Sequence, residues 1–236
     1  MPRPRPPMIR AEMTRAARQL FVSPHLDDAV LGCGALIASC GEAVVATVFA
    51  GRPVAGHPLT RWDAECGFRA GDDVVGIRRA EDREALAHLQ AHPVWLDYRD
   101  DQYGDSPDVC TLTRALEALL AGQAFASVFI PLGLFHVDHR RASDAAFALA
   151  GRDGADWYAY EDAIYRRIPG AVGARIHALR DRGHVLTRHV FPIDDVAGAH
   201  KADAVACYRS QLTALARRTA SDDMRAPEAY WRIART

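Results

Sequence analysis

At 236 residues, 49% of them hydrophobic, the chain is long enough to bury the core of one large α/β domain. Its formal net charge of -1, with both signs interspersed, offers no field that would attract nucleic acid or an anionic membrane. No apolar stretch approaches the roughly 18 residues of a membrane span, so no membrane insertion is expected.

The chain begins MPRPRPPMIR, too rich in Pro and Arg for a helix and with no apolar run behind it. Residues 1–16 are therefore expected to form a flexible tail and not a signal peptide, with a single domain over 17–236. The first apolar β-branched run predicts a strand over 19–23, followed by a small-residue helix over 30–39 and a second strand over 43–49. Residues 51–76 break this rhythm with Pro53, Pro58, Gly67 and Gly71, and read as a structured loop near a site. A helix over 76–90, a strand over 93–97, a helix over 108–121, a strand over 127–132, a helix over 139–150 and a strand over 157–160 follow. The last third offers a strand over 184–192 and one helix over 194–218. Strand–helix alternation of this kind predicts βαβ units: a Rossmann-like three-layer sandwich with a mostly parallel central sheet. The five scattered cysteines, never spaced as C-x-x-C, read as reduced thiols of a cytoplasmic protein.

Two polar clusters stand out because each closes an apolar strand: Pro24-His25-Leu26-Asp27-Asp28 and His136-Val137-Asp138-His139. In open parallel sheets ligands bind beyond the carboxyl ends of the strands, which is where both clusters fall, with Asp97 and Asp100 after the third strand. Alone, an Asp pair after a strand is usually a helix cap with a first-turn carboxylate. Alone, H-x-x-H is a weak signal. Together they fit a hydrolytic metal site, which needs about three His or carboxylate ligands and an open position. His25, Asp28 and His139 supply that set. Asp27 is then left to take a proton from water, and His136 stands across the site as a proton donor or oxyanion partner, its tautomer fixed by Asp138. A His/His/Asp set suits Zn2+, Fe2+, Co2+ or Mn2+. No G-x-S-x-G, Walker loop or G-x-G-x-x-G is present.

The two clusters resemble the motifs of the PIG-L-like (LmbE-like) zinc-dependent N-deacetylases: (A/P)-H-x-D-D-(E/A), matched by Pro24 to Ala29, and H-x-D-H, matched by His136 to His139. The resemblance implies metal ligands His25, Asp28 and His139, general base Asp27, and His136 as stabiliser of the intermediate, oriented by Asp138. It further implies substrate contacts at Arg78, in Arg78-Arg79-Ala80-Glu81, and at Asp100. Tyr160-Glu161-Asp162 and Tyr208-Arg209-Ser210-Gln211 resemble later segments of some members. The implied partner is a small-molecule substrate, an N-acetylated amino sugar or its conjugate. An amidase acting on a thiol-sugar conjugate is the alternative, and a non-catalytic sugar-binding relative is disfavoured because every core position is present. Leu134-Phe135 stands where some relatives place a tyrosine, for which Tyr103 or Tyr160 would have to substitute.

Overall fold

The computed structural model describes residues 18–152, 154–216 and 226–235; the expected tail over 1–16 lies outside them. Along the chain run β1 (Gln19–Ser23), α1 (Asp28–Ser39), β2 (Ala43–Thr47), α2 (Arg61–Glu65), α3 (Val74–His88), β3 (Ala91–Trp95) and a 3-10 turn at Asp101–Tyr103. Then come α4 (Val109–Ala121), β4 (Ser127–Pro131), α5 (Val137–Phe147), β5 (Asp156–Tyr160), α6 (Ala171–Asp181), β6 (His184–His189), α7 (Asp195–Ala206), α8 (Arg209–Leu215) and β7 (Tyr230–Arg235).

The seven strands form one sheet in the order β3-β2-β1-β4-β5-β7-β6, in which β7 runs opposite to the other six. Alternate residues of each strand serve opposite faces. Leu20 and Val22 pack with Val44, Val128 and Ile130 against Leu112 and Leu116 of α4 and Ala142 and Ala146 of α5. Phe21 points the other way, with Val45 and Phe129, onto Val30, Cys33 and Ile37 of α1 and Leu86 of α3. Both faces of β1 are covered, which is why its five residues are all buried and read as an unbroken apolar run. The chain builds outward from β1 through β2 to β3 and then returns to lay β4 against the other side of β1. The crevice beyond β1 and β4 is therefore the point where strand order reverses, and it opens at the strands' carboxyl ends.

Several elements differ from the sequence expectation, among them α2 and α6, which it did not include. β3 begins two residues earlier and runs through Pro93, tolerated because β3 is an edge strand pairing only with β2. The expected long helix over 194–218 is broken between α7 and α8, where Tyr208 turns inward and donates a hydrogen bond to Asp82 (2.8 Å), while Ser210 bonds to Glu81 through its N–H and hydroxyl; residues 217–218 lie outside the described set. β7 was not anticipated, and it slots between β5 and β6. It is anchored by Glu228, which accepts from Lys201 (2.7 Å), from the Tyr230 hydroxyl (2.6 Å) and from the Ala35 and Leu36 N–H groups of α1. The Lys201–Glu228 pair is nearly dry, at 10% and 3% side-chain exposure.

Removing one member of such a pair strands the other charge in the interior. Glu228→Ala should lower stability by about 3 kcal/mol, read as a shift of the urea midpoint, and adding Lys201→Met should recover a large part of that loss.

Candidate metal centre

The centre starts with the turn that ends β1. Ser23 donates its hydroxyl to the His25 carbonyl (2.6 Å) and accepts the Ala29 N–H (2.9 Å), folding Pro24 to Asp28 over the strand end. The His25 N–H bonds to Asp28 Oδ2 (2.9 Å), which also lies 3.2 Å from His25 Nδ1 and 3.2 Å from His139 Nε2. His139 sits in the first turn of α5, directly after β4, so one buried carboxylate oxygen joins the two sides of the crevice.

The donor atoms of His25, Asp28 and His139 lie within 4.8 Å of one another. A tetrahedral ion bound at about 2.0–2.1 Å places its ligand atoms about 3.3 Å apart, close to both 3.2 Å separations from Asp28 Oδ2. The site also favours positive charge. Burial opposes protonation of His139, yet Asp28 and Asp162 outweigh it and push its pKa up to about 9. These residues fit a divalent cation in donor type, spacing and field.

Each of the two histidines is backed by a further carboxylate at its other ring nitrogen. His25 Nε2 is 3.2 Å from Asp138 Oδ2, which also accepts the Asp101 N–H (2.9 Å), while Arg141 reaches Asp138 Oδ1. His139 Nδ1 makes a short hydrogen bond to Asp162, whose other oxygen accepts the N–H groups of Gly133 (3.0 Å) and Leu134 (3.1 Å). Gly133 lies at φ 83°, and a Cβ there would meet the Ser143 side chain at 2.5 Å, so the loop between β4 and α5 needs glycine at this point.

Asp27 and Asp28 are chemically alike and adjacent, but their surroundings differ. Asp27 occupies the N-cap position of α1 without making a side-chain cap bond, so the ordinary capping role is not the one it fills. Burial and the neighbouring Asp28 charge raise its pKa to about 7. Burial also opposes ionisation of Asp28, but His139 and His25 hold its pKa well below the usual carboxylate range. His136 caps α5: its Nδ1 accepts the Asp138 N–H (3.2 Å), which leaves the proton of the neutral ring on Nε2. Burial and the nearby His25 and His139 lower its pKa, favouring that neutral form.

The structure assigns Asp138 a different contact from the one expected. Its main-chain N–H fixes the His136 tautomer, while its carboxylate serves His25, because H-x-D-H at a helix start points the Asp side chain back across the crevice. Arg78 is buried against Asp63 (2.9 Å) and Cys66 (3.3 Å), and with His25, Asp100 and Gln211 it lines the small cleft at the centre. Asp100 Oδ2 lies 3.8 Å from His25 Nε2, and its carboxylate is otherwise bonded to Gln102. Asp97 is exposed and pairs with Arg79, away from the centre. Asp162 carries far more of the geometry than its sequence context suggested; Tyr160-Glu161-Asp162 had marked the segment but not the residue's task.

Replacing Asp162 by Asn keeps the shape but weakens the support of His139 and of two loop N–H groups. Metal affinity should fall by about 10- to 100-fold, measured by titration of apo-protein with zinc and with cobalt.

A family model described as PIG-L: GlcNAc-PI de-N-acetylase matches residues 20–150. Among solved structures, a deacetylase triple mutant from the teicoplanin biosynthetic pathway superimposes with a TM-score of 0.78 at 26% identity, covering 93% of this chain and 98% of that one. The A40926 pseudoaglycone deacetylase Dbv21 gives a TM-score of 0.75 at 26% identity, again over 93% and 98%. The N,N'-diacetylchitobiose deacetylase of Pyrococcus horikoshii shares the fold, with a TM-score of 0.53 at 21% identity over 83% of this chain and 70% of that one. No curated protein matches the chain in sequence. The family model spans more than half of the residues, including both His/Asp clusters, and on that ground the chain belongs to the PIG-L family.

Proposed function

We propose that this chain is a metal-dependent hydrolase that removes the N-acetyl group of an N-acetylated amino sugar, most naturally one carried on a larger conjugate. The observation that carries this reading is the convergence of His25 Nδ1, Asp28 Oδ2 and His139 Nε2 beside a buried carboxylate, Asp27, that makes no cap bond. The reaction class is supported by the family match and by two deacetylases at 26% identity over nearly the whole chain. The conjugate is supported by the A40926 pseudoaglycone deacetylase among them. It is supported too by a cavity of about 280 Å³ that adjoins the centre at Val75 and Tyr103 and is walled by Arg52, Pro53, His57 and Leu59. That volume gives room for part of a substrate beyond the reacting amide. No helix among the described residues is long and apolar enough to cross a membrane.

His25, Asp28 and His139 would hold the ion, with zinc the proposed occupant; when bound, it supplies a Lewis acid and lowers the pKa of water toward about 7. Asp27, buried and free of a cap bond, takes the proton from the water that attacks the amide carbonyl. His136, neutral and protonated on Nε2, donates to the carbonyl oxygen as negative charge grows there. The proton held by Asp27 is then available to the departing amine. Asp138 and Asp162 keep the two ligand rings in place. Arg78 and Asp100, which line the same cleft, would bind sugar hydroxyls.

The test is acetate release by metal-loaded protein from a panel of N-acetyl-hexosamine conjugates; release of other acids from thiol-sugar amides, with no acetate, would reassign the bond cleaved. Asp27→Ala should retain one metal per chain and lose about 10²- to 10⁴-fold in kcat. His139→Ala should lose both metal and turnover. Full activity in the Asp27 variant would sink the mechanism.

A further inference from the structure

The segment after β5 brings to the centre an aromatic residue that neither motif contains. Tyr165 follows Asp162 in a tight turn, its N–H bonded to the Asp162 carbonyl (3.1 Å). Asp162 is itself pinned to His139 and to the loop after β4, so the turn that carries Tyr165 starts from a residue held at the metal centre. That ring meets His139 edge-on, with centroids 5.1 Å apart, and lies nearly parallel to the His136 ring at 6.4 Å. Phe135 covers it from outside at 5.4 Å. Phe135 adopts φ 55°, a left-handed backbone unusual for an aromatic residue, and stays 66% exposed.

Four buried tyrosine hydroxyls are already committed. Tyr160 donates to the Val22 carbonyl (2.8 Å), Tyr103 to Asp63 (3.0 Å), Tyr208 to Asp82 (2.8 Å) and Tyr230 to Glu228 (2.6 Å). Tyr160 and Tyr103, the two candidates that sequence alone offered as an extra donor, are thus already committed. The hydroxyl of Tyr165 has no hydrogen-bond partner among the described residues. A phenol's ordinary pKa of about 10 keeps it protonated at neutral pH. A partly buried phenol beside two site histidines, with a proton to give and nothing to give it to, is suited to a ligand atom that arrives with the substrate.

We propose that Tyr165 is a catalytic hydrogen-bond donor, its hydroxyl sharing with His136 Nε2 the carbonyl oxygen of the scissile amide. The assignment rests on the hydrolase reading above. The phenol transfers no proton; it strengthens its bond to that oxygen as negative charge builds, and so acts on the transition state more than on substrate binding. The residue lies beyond the stretch matched by the family model, which ends at residue 150.

Tyr165→Phe isolates the hydroxyl, because the ring contacts with His136, His139 and Phe135 survive. In the metal-loaded protein, kcat should fall by about 10- to 100-fold with KM held within about twofold and metal content unchanged. A second readout is calorimetric binding of a methylphosphonamide analogue of an N-acetylated amino sugar, which carries tetrahedral oxygens where the amide has a planar carbonyl. Its affinity should drop by about tenfold in the variant, while affinity for the free amino-sugar product stays the same. An active wild type matched by an equally active Tyr165→Phe overturns the tyrosine's role alone. A wild type that binds metal but releases acetate from no conjugate overturns the hydrolase reading and this role with it. Loss of fold in Tyr165→Phe also overturns the proposal, because it means that the hydroxyl has a structural partner.

Discussion

One carboxylate oxygen holds the two halves of this site together. Asp28 Oδ2 takes the His25 N–H and stands 3.2 Å from a ring nitrogen of each of His25 and His139, which come from opposite sides of the crevice between β1 and β4. A buried charge left without partners costs several kcal/mol, so the turn after β1 and the first turn of α5 cannot drift apart without exposing or stranding it. Sheet topology brings the two strand ends side by side, and Asp28 sets how far apart their side chains stand. Asp162 does the same one strand further along, tying the His139 ring and two loop N–H groups to the end of β5.

The same arrangement explains how neighbouring aspartates come to differ. Partners, not chemistry, decide which carboxyl ionises easily in a buried setting. Asp28 has the histidines and its pKa falls; Asp27 has burial and the Asp28 charge, and its pKa rises to about 7. The contrast depends on Asp27 being spared the capping duty usual for an Asp at a helix start. A side chain bonded to the helix N–H groups would have been stabilised as the anion and would be a poorer proton acceptor.

Much of this was legible in the sequence, and the misses have physical causes. β1 could be read to the residue because burial on both faces turns a central parallel strand into a continuous apolar run. The metal-fitting set could be read because its residues close two such strands. β3 was misplaced by two residues because a proline argues against a strand unless the strand is at an edge, and edge position is a property of the sheet. The break at Tyr208 depends on Asp82 and Glu81, more than a hundred residues away in sequence. Asp138 was found but its carboxylate was aimed at the wrong histidine, since local spacing cannot reveal that His25 waits across the crevice. Asp162 and Tyr165 had no spacing signal, being joined to the H-x-D-H cluster only through the pairing of β4 with β5.

This division between sheet-borne and loop-borne residues bears on what the site can select. The metal-fitting atoms sit just beyond the ends of β1 and β4, in the turn into α1 and the first turn of α5, which the paired and doubly packed strands hold in place. The walls come from elsewhere: the cavity formed by the segment after β2, with His57 and Leu59, and the turn after β5 that carries Tyr165. Neither wall belongs to the strand ladder; the segment after β2 can change in length and side chain without moving Asp28 or the histidines, whereas the turn after β5 is tied to His139 through Asp162. The reaction type therefore follows from the crevice that the strand order creates, and the choice of acetylated sugar from segments outside the strand ladder. Tyr165 falls between the two classes. It belongs to a loop, but its N–H bonds to Asp162, the residue that holds the His139 ring.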